Sequence, residues 1–326
     1  MAHAIRLKEY GEPEVLSWQQ VEVGKPAAGQ VRIRQTAVGA NFMDVSQRRG
    51  RSPIPLALPG GLGGEAAGII EELGEGVADL AVGDRVVYAG GGAGAYAQAR
   101  IVPVQILVGL PDGLSDQQGA AMMLKGMTAQ FLVRQISRVK AGDTVLFHAA
   151  SSGVGFIACQ WLKYLGVRVI GTVSSDEKAE AARAHGCDHV VVYTREDFVG
   201  RVKEITGGAK VSVVFDSVGK DTFVKSLDCL KPCGVAVLYG QASGPVGPFD
   251  LGLLANKSSL FVTRPTLTAY TSTRTKLLAT AHDLFEVVES GAVRIEINQT
   301  YALQDAAQAH RAVEARQTTG STVLVV

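Results

Sequence analysis

Apolar and polar positions change rhythm along this chain, and the changes divide it. Over residues 1 to about 125, short β-rich runs at 4–7, 31–38, 67–73, 85–88 and 96–102 alternate with glycine and proline turns such as Gly74-Glu-Gly76 and Gly83-Asp84. That texture predicts a compact all-β barrel or sandwich. Over 114–138 the period turns helical, with Ala120, Ala121, Leu124, Thr128, Phe131, Leu132 and Gln135 at three-to-four spacing, and a second domain begins. From Asp143 onward, near-continuous β-branched runs at 145–147, 168–172, 189–192, 211–215 and 235–238 alternate with amphipathic stretches at 176–184, 197–206 and 221–230. Such alternation predicts a parallel sheet buried on both faces. Helical periods return at 273–289 and 303–315, and the runs 295–300 and 322–326 are expected to close back onto the N-terminal β domain.

The first strand of the parallel series leads into His148-Ala-Ala-Ser-Ser-Gly-Val-Gly155 and then a helical pattern through Trp161. A strand, a tight turn of small residues and a helix aim unpaired N–H groups at an anion, usually a dinucleotide pyrophosphate. The strict G-x-G-x-x-G pattern is broken, because Ala150 and Ser152 stand in the first two glycine places and only Gly155 keeps the third, beside an added Gly153. The βα steps that follow, rather than the turn alone, make this a Rossmann fold.

In such a fold an acidic residue at the end of the second strand holds the ribose hydroxyls of NAD. Here Ser174 stands in that place, followed by Lys178. A hydroxyl and an ammonium accept a 2′-phosphate that a carboxylate would repel, so NADPH is expected over NADH. Ser175, Asp176 and Glu177 also make a good helix start, in which Lys178 is simply a solvated helix residue. Two further groups stand out. Asn41 and Asp44 are polar positions inside an otherwise apolar run, where a buried amide can orient a carboxamide or a carbonyl, although asparagine at a turn is commonly structural. Lys125 and Thr128 share a helix face expected to look toward the domain junction, a common place for ligands.

Composition narrows the possibilities. The length of 326 residues suits two domains, and the net charge of +1 with interspersed charges gives no basic footprint for nucleic acid or a membrane surface. No window reaches the ~18 apolar residues a membrane helix needs, and the N-terminus has no apolar signal core. The four cysteines, Cys159, Cys187, Cys229 and Cys233, form no C-x-x-C pair, which fits a reduced, cytoplasmic setting. Cys229 and Cys233 are expected to be small buried side chains, and no metal is expected. The six histidines show no ligand spacing; His148, ending its strand, is expected to be structural.

With these residues in view, the chain resembles the zeta-crystallin-like quinone oxidoreductase branch of the medium-chain dehydrogenase/reductase superfamily. The resemblance lies in 37–44 (Ala-Val-Gly-Ala-Asn-Phe-Met-Asp), 124–130 (Leu-Lys-Gly-Met-Thr-Ala-Gln), 148–155, 215–219 (Phe-Asp-Ser-Val-Gly) and 262–265 (Val-Thr-Arg-Pro), and runs end to end. It implies an α/β architecture: a doubly wound Rossmann domain over 125–263, inserted into a GroES-like β-barrel domain built from 1–124 and 264–326. It places Asn41 and Asp44 beside nicotinamide and substrate, with Thr128 near the nicotinamide. It puts Gly153, Val154 and Gly155 on the pyrophosphate, Ser174 and Lys178 at the 2′-phosphate, and Tyr193 against the adenosine end. Ser217, Gly240, Gln241, Thr263 and Arg264 would line the nicotinamide half, and Arg316 would reach the cofactor from the last helix. The family often has an aromatic residue just after the Asn-Phe-x-Asp turn; this chain has Val45 and Ser46.

Zinc alcohol dehydrogenases of the same superfamily carry a cysteine where this chain has Asn41 and a histidine at Gly64, before Glu65, together with a four-cysteine lobe absent here. The expected activity is therefore zinc-independent hydride transfer from NADPH to a quinone in the interdomain cleft. A quinone is already electrophilic, so positioning and hydrogen bonds to the developing oxyanion suffice. No dedicated acid is evident, so the proton is expected from solvent. The same cofactor geometry also serves a reductase of alkenals or enones, and a non-catalytic role as an NADPH-binding crystallin or RNA-binding protein is a third reading. The resemblance further implies a homodimer joined through the strand edge at 260–262.

Overall fold

The computed structural model describes residues 1–52, 55–137 and 139–326. The chain forms two compact units: Met1–Lys125 with Thr273–Phe285 and Ile295–Val326, and Gly126–Ser272 with Glu286–Arg294. The second unit thus extends through residue 272, beyond the residue 263 suggested by the sequence, and also takes in 286–294.

The first unit is β-rich. One sheet has seven strands, with Ile297–Ala302, Ser321–Val325, Gln30–Ala40, Glu65–Leu73, Arg85–Ala89 and Val108–Gly109 in spatial order and Ala99–Pro103 also paired to Gln30–Ala40. A smaller sheet orders Ser17–Val21, Ala2–Leu7 and Gly60–Gly61. Along Gln30–Ala40, Val31 and Ile33 point inward, followed past a register shift by Val38, and they join Leu7, Leu62, Val86, Tyr88 and Leu324 in the core. Each large apolar side chain removed from water there contributes about 1.5–3 kcal/mol. The C-terminal strand does close on this unit: Thr322 lies opposite Ala40 and Val325 opposite Ala37, antiparallel.

In the second unit six parallel strands run in the order His189–Val192, Arg168–Val173, Thr144–His148, Val211–Asp216, Leu230–Leu238, Phe261–Thr263. Numbered along the chain this is 3-2-1-4-5-6, a doubly wound sheet whose strand order reverses between Thr144–His148 and Val211–Asp216. Its central strands Thr144–His148, Arg168–Val173 and Val211–Asp216 are largely buried β-branched and aromatic runs, as helices on both faces require.

Several expectations are corrected. The helical stretch 114–138 starts at Asp116, is α-helical to Gln130 and widens to a π-helix over Phe131–Ile136; its predicted last residue, Arg138, lies outside the described residues. The run 96–102 becomes a strand only at Ala99, because Gln98 and its neighbours bond to the N-terminal strand instead, Gln98 N to His3 O at 2.8 Å. Strand Ser17–Val21 was not expected: its Trp-Gln-Gln centre lacks an apolar alternation, and it is held by pairing with Ala2–Leu7. Cys229 is buried, but Cys233 is exposed with φ 58°, where Lys231–Gly234 bulge out of the sheet register between Leu230 and Val235. Among the described residues no helix is long and apolar enough to cross a membrane.

Candidate active site

Most of the expected cofactor residues fall on one edge of the parallel sheet. Gly153 to Gly155 follow the first strand of that unit, Ser174 and Lys178 the second and Tyr193 the third. Ser217 follows Val211–Asp216, Gly240 and Gln241 follow Leu230–Leu238, and Arg264 follows Thr263, the last residue of the final strand. All are at carboxyl ends, and the Gly153 turn and Ser217 flank the point where strand order reverses, the ligand crevice of open α/β sheets. Thr128 lies elsewhere in the same unit, on the helix Asp116–Gln130.

The glycine turn is built for close approach. Ser152 caps helix Gly153–Tyr164, its Oγ accepting from Gly155 N at 3.1 Å. A Cβ at Gly155 would sit 2.5 Å from Ala149 O and 2.6 Å from Ala150 O, so no side chain fits there. Ala149 takes the left-handed φ of 55° that a glycine usually supplies. Gly155 N–H is thus engaged by the cap, and the first-turn N–H groups of Gly153 and Val154 are the ones without an acceptor inside the helix. These features fit a dinucleotide pyrophosphate held at a helix N-terminus.

A second turn leans on the first strand's neighbour. The buried Asp216 carboxylate accepts from Val218 N at 2.8 Å, Gly219 N at 3.0 Å and Thr222 Oγ1 at 2.8 Å. A Cβ on Gly240 would lie 2.6 Å from Ser217 O, so the turns at 217 and 240 touch backbone to backbone. Arg264 crosses the same end of the sheet, donating from Nη1 to Leu238 O at 3.3 Å and from Nη2 to Gln241 Oε1 at 3.1 Å. His148 is buried between Thr172 Oγ1 and Ser226 Oγ, each at 2.9 Å, and burial holds its pKa below the usual value against the pull of Asp216. It is structural, as its place at the strand end suggested.

At the second strand end, Ser175 caps helix Asp176–Ala184 and accepts from Lys178 N at 3.4 Å. The helix-start reading of this stretch is therefore realised. Ser174 directly follows the strand and Lys178 lies in the first turn of that helix, both half-buried, while Arg195 pairs with Asp176 at 2.5 Å. Tyr193 joins through its backbone N to Val173 O at 3.1 Å.

In the first unit, Asn41 and Asp44 meet in a buried polar cluster. Asn41 precedes the short helix Phe42–Arg48, and its backbone N donates to Asp44 Oδ2 at 2.8 Å. Its Nδ2 donates to Glu65 Oε2 at 2.8 Å. Glu65 also takes Lys125 Nζ on Oε2 at 3.3 Å and Leu124 N on Oε1 at 2.6 Å, so one buried carboxylate ties the Asn41 turn to the helix carrying Lys125. Tyr96 OH donates to Asp44 Oδ2 at 3.0 Å and lies 3.1 Å from His310 Nε2. Burial pushes the Asp44 carboxyl up to about 7, against the bonds from Asn41 and Tyr96, and pushes the His310 imidazole down to about 3. Arg316 is exposed, with φ 55°, after the helix Ala306–Glu314.

Sequence reasoning missed Glu65, Tyr96 and His310. Glu65 stands in a strand of small residues, Glu-Ala-Ala-Gly, where one charge at an inward position was the available signal. Tyr96 and His310 are 214 positions apart, and nothing local in the sequence joins them.

This cluster does not suit zinc. Asn41 presents an N–H donor toward Glu65, and the Glu65 oxygen nearest Asn41 is already occupied by that amide and by the Lys125 ammonium, a fixed positive charge where a cation would sit. Tetrahedral zinc sites need thiolate, imidazole or free carboxylate donors.

Residues 27–112 match the alcohol dehydrogenase GroES-like domain and residues 153–285 the zinc-binding dehydrogenase family. The chain is 51% identical to a quinone oxidoreductase of Pseudomonas aeruginosa, each protein covered over its full length. It is 46% identical to a 2-haloacrylate reductase of a Burkholderia species, covering 100% of this chain and 99% of that one. It superposes on the crystal structure of Escherichia coli quinone oxidoreductase complexed with NADPH with a TM-score of 0.97 at 44% identity, covering all of both chains. With its two domains, its glycine turn and its Asn41–Asp44 cluster, the chain belongs to the quinone oxidoreductase family of the medium-chain dehydrogenases/reductases.

Proposed function

We propose that this protein is an NADPH:quinone oxidoreductase that reduces its small-molecule acceptor by hydride transfer without a metal. The observation that carries the reading is the full-length likeness to a quinone oxidoreductase solved with NADPH, combined with a glycine turn in which no side chain fits at Gly155. NADPH, when bound, supplies the hydride. The N–H groups of Gly153 and Val154 would hold its pyrophosphate, with Gly155 allowing the backbone approach. Ser174 and Lys178 would take the 2′-phosphate and Tyr193 the adenosine end. Ser217, Gly240, Gln241, Thr263, Arg264 and Thr128 would line the nicotinamide half, and Arg316 would add a cation. Asn41 and Asp44 would act on the quinone side, where hydrogen-bond donors stabilise the oxyanion that develops. A cytoplasmic homodimer, with the exposed Phe261 and Val262 at the sheet edge as the self-pairing strand, belongs to the same reading.

Consumption of NADPH with a panel of ortho- and para-quinones tests this directly. Turnover of quinones is expected, and its absence would overturn the proposal. The 46% likeness to a 2-haloacrylate reductase favours one second reading, reduction of a conjugated carbon–carbon double bond. Haloacrylates and alkenals in the same panel separate the two, because preferential turnover of those substrates selects the second.

A further inference from the structure

The proposed reaction consumes a proton as well as a hydride, and the sequence, in which no dedicated acid is evident, points to solvent as its source. Asp44, Tyr96 and His310 form a linear chain inside the first unit, drawn from the helix Phe42–Arg48, the loop before Ala99–Pro103 and the helix Ala306–Glu314. The direction of the bonds is fixed by elimination. Tyr96 spends its only hydrogen on Asp44 Oδ2, so its oxygen accepts from His310 Nε2, which must carry a hydrogen. His310 Nδ1 is buried and has no hydrogen-bond partner among the described residues, so that nitrogen is the bare one of a neutral ring. Asn41 N–H also ends on Oδ2. Two donors saturate one carboxyl oxygen and leave Oδ1 as the atom able to carry a proton.

We propose that Asp44 stores the proton of the reaction on Oδ1, and that Tyr96 and His310 are positioning residues that keep the other oxygen engaged. The inference rests on the placement of Asp44 at the acceptor given under Proposed function. Hydride transfer adds two electrons and one hydrogen to the quinone, which becomes the hydroquinone monoanion while NADPH becomes NADP⁺. The Asp44 O–H bond breaks, its proton forms the second hydroquinone O–H, and the carboxylate left behind recovers a proton from solvent. A phenolic oxyanion, whose conjugate acid lies near the tyrosine value of about 10, takes that proton downhill from a buried carboxyl. The surroundings match the role. Burial raises the Asp44 pKa to about 7; the bonds from Asn41 and Tyr96 and the charge of Lys125 lower it, and the charge of Glu65 raises it. His310 cannot compete for the proton, since burial first and the nearby Arg48 second keep it neutral. Arg48 itself is buried and paired to Glu314 at 2.6 Å, so it does not offset the Asp44 charge by contact.

The test is a carboxyl titration of the full chain labelled with carboxyl-13C aspartate, the Asp44 resonance assigned by its loss in Asp44→Asn, run beside the pH profile of kcat with a quinone. Expected is a midpoint near 7 and a kcat that falls about tenfold per pH unit above it. Tyr96→Phe removes a donor to the ionised form, so both the midpoint and the falling limb move upward by about one pH unit, a tenfold gain in proton affinity. His310→Leu moves them the same way, whereas His310→Gln, which can still donate to Tyr96, restores the wild-type values. An Asp44 midpoint in the usual range near about 4 would overturn the proposal, as would midpoints unchanged in both Tyr96→Phe and His310→Leu. A protein that titrates as expected but reduces no quinone upholds the proton store and refutes only the choice of acceptor.

Discussion

Asn41 Nδ2 rests 2.8 Å from Glu65 Oε2, the oxygen that also takes the Lys125 ammonium at 3.3 Å. The orientation of Asn41 is therefore set by a buried carboxylate. Replacing Glu65 by Gln leaves the Lys125 charge buried and unpaired, and removing one partner of a buried pair costs about 3–5 kcal/mol. Chemical denaturation of Glu65→Gln should show a loss of that order in the first unit, and a change below about 1 kcal/mol would contradict the hub role of Glu65.

Gly155 has no room for a methyl group, with carbonyl oxygens at 2.5 and 2.6 Å from an added Cβ. Gly155→Ala must push the helix Gly153–Tyr164 off the strand before it. NADPH affinity measured by calorimetry should fall at least about tenfold while the first unit keeps its stability. Ser152→Ala, which removes only a cap worth about 1 kcal/mol, should melt the second unit slightly earlier. Unaltered NADPH binding in Gly155→Ala would show that the turn does not touch the cofactor.

Lys178 discriminates between cofactors if it meets the 2′-phosphate. A charged hydrogen bond is worth about 1.5–3 kcal/mol, so Lys178→Ala should weaken NADPH by about tenfold or more and leave NADH nearly unchanged. Equal losses for both would return Lys178 to the role of a plain helix residue beside the Ser175 cap.

The pH dependence of stability carries two opposed contributions. Asp44 has a folded pKa raised to about 7, so its contribution is full below the unfolded value near about 4 and is lost as pH rises through 7. His310 has a folded pKa lowered to about 3, so its contribution is present above the unfolded value near about 6.5 and is lost as pH falls toward 3. In wild type the two nearly cancel between pH 4 and 7. His310→Gln should therefore lose stability as pH rises across this window, and Asp44→Asn should gain it, each by up to about 4 kcal/mol. Thermal melts at pH 4.5 and 7 check the signs, and parallel slopes in the two variants would contradict the assignment.

Zinc offers a further check, because the Asn41–Glu65–Lys125 arrangement provides no ligand set for it. NADPH-dependent turnover should survive prolonged chelation unchanged, whereas activity lost to a chelator and restored by zinc would show a metal in the reaction.

The layout of the second unit was legible because its strands read as β-branched runs between amphipathic helices; Gly153 and Ser174 followed from that layout, whereas Tyr193, Ser217 and Gly240 came from the family resemblance and fall at strand ends. The first unit was harder. Its strands are short, and Ser17–Val21 with its Gln-Gln centre is held by its neighbour rather than by its own pattern. Asn41 and Asp44 were visible as polar interruptions of an apolar run. Their partners Glu65, Tyr96 and His310 were not, since a buried hydrogen bond between distant residues leaves no periodicity to read. The exposed Cys233 was misjudged because the bulge at Lys231–Gly234 turns outward a residue that strict strand continuation would have kept in the sheet.

Every role proposed for the site serves hydride transfer from NADPH to a quinone. Single-turnover mixing of the protein with a para-quinone and NADPH deuterated at C4 tests it most directly. Hydroquinone should form one for one with NADP⁺, and the transfer should slow when deuterium occupies the transferred position. NADPH that stays unoxidised with every quinone, while the protein binds it tightly, would contradict it.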